Sequence, residues 1–189
     1  MVVMKRLTAI FLVLLPLWAT AQEYDFAKKI GGNVLYFYIT STGGKNGATV
    51  EVTFPGTEEA PWKGYRKPSG QLTIPDVVTP DRAKGRNADP EDDDTTIYTV
   101  TAVRYNAFMG CDHITRLTLP ATIKKMGESA FADCSRIAYI VVEAQDPPKL
   151  YDSSFDKVDL DIPVRVPAGS YELYRQAIGW RQFTEIIEY

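Results

Sequence analysis

Histidine occurs once in the 189 residues, at position 113, and cysteine only twice. A serine or cysteine hydrolase would need His113 as its base, with a nucleophile within hydrogen-bond reach. No Gly-x-Ser-x-Gly elbow stands near it, so His113 reads as an exposed turn residue. One histidine and two cysteines are also too few ligands for structural zinc. The glycines at 31–32 and 43–44 are isolated turn residues rather than a phosphate cradle ahead of a helix. Lysine and arginine number 21 against 24 aspartates and glutamates. No basic stripe meets nucleic acid phosphates, and no polybasic segment suits an anionic membrane surface. A glycosidase pair of carboxylates has no local signature here. The chain is therefore read as a non-enzyme, with no catalytic residue, no metal and no cofactor assigned.

Long apolar runs are missing too, except at the start. Lys5-Arg6 precedes an apolar run from Leu7 to Trp18, and Ala19-Thr20-Ala21 has the small-x-small form of a signal peptidase site. That run is shorter than the ~18–20 residues of a membrane span, so residues 1–21 are expected to be a cleaved secretory signal peptide. The expected mature chain is exported, to the periplasm, the cell surface or the medium, and has no integral span. Without Lys5 and Arg6 the formal charge falls from −3 to −5.

What the sequence does contain is a stretch that repeats itself. Ala107, Phe108, Cys111, Ile114, Leu117 and Leu119 recur as Ala130, Phe131, Cys134, Ile137, Ile140 and Val142, each 23 residues later. A fixed period of this size marks a solenoid. The apolar-x-x-apolar-x-apolar tail suits a short strand that turns alternate side chains into a core, with Ala-Phe on the opposite wall. The two cysteines fall at one repeat position of adjacent coils, ~4.8 Å apart, within reach of a disulfide in an exported protein. Equivalent side chains in stacked coils point in parallel, which favours two buried thiols acting as small hydrophobes.

The repeat with its Ala-Phe-x-x-Cys signature resembles the BspA-type bacterial leucine-rich repeat family, secreted or surface proteins of Bacteroidetes-like bacteria. Gly70 to Pro75, Tyr98 to Val103, Pro147-Pro148, Val166 to Tyr171 and Gly179-Trp180 are similar to that family as well. The resemblance implies a β-rich solenoid with a right-handed superhelix, used as a binding scaffold. For some relatives it implies adhesion to host matrix proteins.

Taken in order, Asn33 to Thr40 and Ala48 to Phe54 read as strands of a β-hairpin about the turn Ser41 to Gly47. This hairpin is expected to cover the open edge of the first coil. Pro55 to Gly70 reads as a loop bringing Trp62 or Tyr65 over that cap. Leu72-Thr73-Ile74-Pro75 lines up with Leu117-Thr118-Leu119-Pro120, so the solenoid spans 71–169 with a loop inserted at 76–96. The acidic run 89–94 in this loop lacks the spacing of a calcium loop and reads as a solvated insertion. Val100 and Val103 match Ile123 and Met126, Ser154-Phe155 takes the Ala-Phe place, and Val164-x-Val166-Pro167 repeats the strand. About four rungs result, between a cap at 22–70 and a helical cap at 170–189. In the latter, Ser170 is the expected N-cap, Tyr174 and Ile178 share a face, and Gly179 ends the helix. Trp180 and Phe183 close the core, and residues 184–189 form a last strand.

Side chains between the core positions must face outward in parallel columns. Thr73, Thr118, Val141 and Arg165 form one column; Gln71, Arg116, Tyr139 and Pro163 form the other. Arginine and tyrosine are common at interface hot spots, because each offers contact area with directed polar atoms. The expected function is recognition of a protein or glycan through this face, centred on Arg116 and Tyr139. A structural role in the cell envelope is the second reading, and an exported hydrolase the third.

Overall fold

The computed structural model describes residues 24–43, 47–81 and 96–189. The expected signal peptide and the acidic run 89–94 lie outside the described residues.

The strands form where the repeat places its apolar residues. In β7 (Ile114–Leu119), Ile114, Leu117 and Leu119 are fully buried while Thr115 and Arg116 face solvent. Each such burial contributes ~1.5–3 kcal/mol, which drives the segment onto its neighbours. Before it come β1 (Phe26–Ile30), β2 (Asn33–Thr42), β3 (Ala48–Thr53), β4 (Gly70–Thr73), β5 (Val77–Val78) and β6 (Tyr98–Val103). After it come β8 (Lys125–Met126), β9 (Ile140–Val142), β10 (Pro163–Val166), helix α1 (Tyr171–Gln176) and β11 (Glu185–Glu188).

Two sheets result. One has the order β11-β10-β9-β7-β4, with every neighbouring pair parallel. The other runs β1-β2-β3-β6-β5, with β8 also paired to β6. Between β3 and β9 the chain passes back and forth between the sheets, with β5 and β6 together on one, while β9, β10 and β11 all lie in the parallel sheet, so consecutive coils lie side by side. The turns carrying Ala-Phe are joined as well: Phe108 N–H donates to Ala130 O and Phe131 N–H to Ser154 O, both at 2.8 Å.

Inside these walls runs a column of aromatic rings. Trp62 and Phe108 lie 6.3 Å apart, Phe108 and Phe131 5.0 Å, and Phe131 and Phe155 5.4 Å, all near parallel. Trp180 and Phe183 pack on Phe155 at the far end, at 6.0 and 5.3 Å. The near end is held by Trp62 Nε1, which donates to Ala107 O at 3.2 Å. The loop expected to lay an aromatic over the cap instead supplies the first ring of the core column.

Several expectations need correction. The β2–β3 hairpin forms, extended by β1, but β3 pairs in parallel with β6 instead of covering β4. At the edge beside β4, Asn33 Nδ2 donates to Ser69 O and Gln71 O at 3.1 and 3.2 Å, and its Oδ1 accepts from Ser69 N–H at 3.0 Å. Three bonds of ~0.5–1.5 kcal/mol each are at stake there. Asn33→Ala is expected to cost ~1–2 kcal/mol in denaturant unfolding, and a change under ~0.5 kcal/mol would show that water replaces the amide.

The loop inserted at 76–96 opens with a short strand, since β5 pairs antiparallel with Tyr98 and Thr99. At the other end α1 stops at Gln176, and Ile178 is 61% exposed, so it does not share the buried face of Tyr174. The Ser170 hydroxyl donates to Pro167 O and does not cap the helix. Tyr174 anchors α1 through its phenol, which donates to Ala144 O at 2.7 Å. Gly179 does adopt the left-handed conformation, at φ 80°, leading into the turn that positions Trp180.

Candidate functional site

The candidate surface is the outward face of the five-stranded parallel sheet. Strand register sets the first column, since Thr73 pairs with Thr118, Thr118 with Val141 and Val141 with Arg165. In the second, Gln71 pairs with Arg116, and Leu117 N–H donates to Tyr139 O at 3.1 Å, which places Tyr139 beside Arg116. Pro163 sits one residue before Val164, the partner of Ile140, and so continues that column. Parallel pairing keeps equivalent side chains on one face, which is why residues 23 positions apart meet.

The columns are not rows of independent side chains. The Arg116 guanidinium lies over the Tyr139 ring, 4.8 Å from its centroid. Arg165 donates from Nη1 to the Tyr139 hydroxyl at 3.0 Å, and its own guanidinium lies 5.3 Å from the Tyr189 ring. Arg116, Tyr139, Arg165 and Tyr189 therefore form one cation and aromatic ladder across both columns. Each exposed step contributes ~0.5–1 kcal/mol and orders a side chain that would otherwise be mobile. Gln71, Thr73, Arg116 and Arg165 are exposed, whereas Thr118, Tyr139 and Val141 are half-buried between their neighbours.

Sequence reasoning missed Tyr189 and Ile187, the latter aligned with Arg165 through β10 and β11. The spacing from Arg165 to Ile187 is 22 residues, one short of the repeat, and only this departure concealed them. Burial raises the Tyr189 phenol, with Glu143 adding to the effect and Arg165 opposing it. The phenol therefore stays protonated at neutral pH and can donate a hydrogen bond.

The remaining chemistry-bearing residues sit elsewhere. Both cysteines are free and buried, and Cys134 Sγ donates to Phe108 O at 3.1 Å. Burial pushes the Cys111 thiol up strongly and Cys134 up to about 12, so neither supplies a thiolate at neutral pH. His113 is exposed, with Nδ1 2.9 Å from Asp112 Oδ1, and that hydrogen bond holds the Asp112 carboxyl below its usual range. Among the described residues no three histidine, cysteine, aspartate or glutamate side chains gather as a metal site. None of the described helices is long and apolar enough to cross a membrane.

Residues 94–177 match the BspA type leucine rich repeat region in six copies. Among solved structures, a leucine-rich repeat protein from Bacteroides capillosus is 14% identical, with 87% of this chain and 99% of that one covered and a TM-score of 0.42. A leucine-rich repeat protein from Bacteroides ovatus is 20% identical over 87% of this chain, with a TM-score of 0.44. A leucine rich cell surface protein from Faecalibacterium prausnitzii is 15% identical over 88% of this chain, with a TM-score of 0.39. The chain spans 37% and 33% of the length of these last two proteins. No curated protein matches the chain. With coils that interlock one repeat apart and six copies of that region across them, residues 94–177 form a BspA-type leucine-rich repeat region.

Proposed function

We propose that the chain is an exported, non-catalytic recognition module that binds a protein or a glycan through the face of its parallel sheet. In this reading the coils form a right-handed superhelix of about four rungs, closed by residues 22–70 and 170–189. The observation that carries the proposal is the ladder of Arg116, Tyr139, Arg165 and Tyr189. It presents two guanidinium groups and two aromatic rings, preorganised by contact with one another, on a surface that also carries Gln71, Thr73, Val141 and Ile187. Preorganisation lowers the ordering cost of binding, and arginine and tyrosine are the side chains that most often dominate interfaces.

The face is small. Five strands at ~4.8 Å spacing make a sheet ~20 Å wide, against the ~800 Å² that each partner gives to a standard interface. A peptide, a protein loop or a short glycan fits it, and one such ligand occupies it fully.

The test is capture by the exported chain, wild type beside an Arg116→Glu, Tyr139→Ala double variant, from host extracellular matrix and from the bacterial envelope. Matrix capture that falls about tenfold or more in the double variant supports recognition through the ladder. Equal capture by both proteins overturns the choice of face. Capture confined to envelope components points to a structural role. Because the ladder residues touch each other, the double variant is expected to lose ~1 kcal/mol, or ~2–4 °C in Tm, which leaves it folded.

A further inference from the structure

A cavity of about 440 Å³ opens on the other sheet, over the turns that follow β6 and β8. Its origin lies in the repeat. Arg104 stands four residues before Phe108, Gly127 four before Phe131, and Tyr151 four before Phe155. Since those three phenylalanines stack directly, the three residues belong to one column of adjacent coils. The middle member has no side chain, because a Cβ on Gly127 would lie 2.4 Å from the backbone nitrogen of Tyr105. The neighbouring coil's backbone packs directly on this glycine, and the cavity beside that close contact is lined by both Arg104 and Tyr151.

The cavity walls are built. Arg104 lies 5.0 Å from the centroids of both the Tyr38 and Tyr105 rings, and its Nε is 3.6 Å from Glu51 Oε1. Those contacts hold the guanidinium in place on the cavity wall. Tyr151 lines the same cavity and is 55% exposed, so its aromatic ring is accessible to a ligand.

The balance of charge selects the ligand. Arg104 and Lys125 line the cavity together with Glu51 and Glu128, so cations and carboxylates are equal in number. An anionic ligand would lose to the carboxylates what it gained from the cations. A neutral polyhydroxylated one meets both donors and acceptors, with Asn106 and Ser129 adding an amide and a hydroxyl. Burial raises the Glu51 carboxyl, against the pull of Arg104 and Lys125, and a hydroxyl donor would restore part of its lost hydration. The Tyr151 ring supplies the apolar platform that the C–H face of a pyranose needs, and the volume falls in the ~300–1,000 Å³ range of small-molecule sites.

From this arrangement we infer a second binding site, separate from the ladder, for a neutral mono- or disaccharide held between Arg104 and Tyr151. The experiment is ligand-observed saturation-transfer NMR on the full exported chain with glucose, cellobiose, maltose and lactose, and with glucuronic acid as the acidic counterpart of glucose. The expected result is saturable millimolar or tighter binding of at least one neutral sugar. It weakens about tenfold in Tyr151→Ala and falls in Lys125→Ala, but persists in the Arg116→Glu, Tyr139→Ala variant. Absence of saturation with all four neutral sugars overturns the inference. So does preference for glucuronic acid, binding retained in both cavity variants, or loss in the ladder variant.

Discussion

Replacing Phe131 with alanine is expected to destabilise the fold by ~3–5 kcal/mol. The side chain is fully buried and stacks on both faces, 5.0 Å from Phe108 at 13° and 5.4 Å from Phe155 at 11°. The neighbouring rings cannot close the gap. Phe108 N–H is bonded to Ala130 O and Phe131 N–H to Ser154 O, so adjacent coils are held at a fixed separation. Both flanking rings would then face a void, and a cavity that does not collapse lies at the costly end of such substitutions. For a chain of this size the loss corresponds to a fall of ~6–20 °C in Tm, with Phe131→Leu losing less than half as much. Chemical denaturation decides it: a cost for Phe131→Ala below ~1.5 kcal/mol would mean that the coils can slide together, contrary to the hydrogen bonds described.

Gly127→Ala is the second large effect, and it works by excess of volume instead of loss. The added methyl would meet Tyr105 N at 2.4 Å, Tyr105 Cα at 2.7 Å and the Arg104 carbonyl carbon at 2.9 Å. All three are backbone atoms, so no side-chain rotation relieves the overlap. The backbone is also pinned on both sides of it, with Gly127 N–H donating to Val103 O at 2.9 Å and Asn106 N–H to Glu128 O at 3.0 Å. One coil must shift against the next, which puts the cost at the upper end of the ~1–3 kcal/mol of overpacking, or beyond. Chemical denaturation gives that cost, and sugar titration of the folded fraction shows whether the cavity keeps its shape. Stability within ~0.5 kcal/mol of the wild type would show that the coils are not in such close contact.

Much of this architecture was legible because a period repeats its own evidence. The match of Leu72 to Leu117 and of Phe108 to Phe131 predicts which side chains share a wall, and strand register and ring stacking place them together. Elements outside the period were harder to read. β1 carries Lys28-Lys29 in place of alternation, and two-residue β5 is too short for any pattern. Ser170 stands at the N-cap position as its residue type predicts, but its hydroxyl is turned to Pro167 O and accepts from no helix N–H. The outward columns followed from strand geometry, yet their internal bonds did not, since side-chain reach decides whether Arg165 meets Tyr139 or solvent. The sugar-sized cavity is lined by residues as far apart as Glu51, Arg104 and Tyr151, which no local pattern brings together until the coils are stacked.

The interlocked coils also set a rule for how such a chain can change length. From Phe108 to Phe131 the step is 23 residues and from Phe131 to Phe155 it is 24, and the rings stack equally well in both cases. A turn therefore absorbs a single added residue without disturbing the ring column. A duplicated segment of one whole period would bring its own strand and its own phenylalanine, widening the parallel sheet by ~4.8 Å and lengthening the core by one ring. A duplicated half period would put a strand where a ring belongs. Growth and shortening of this molecule are thus quantised, and copying errors of one period are the ones the fold can accept.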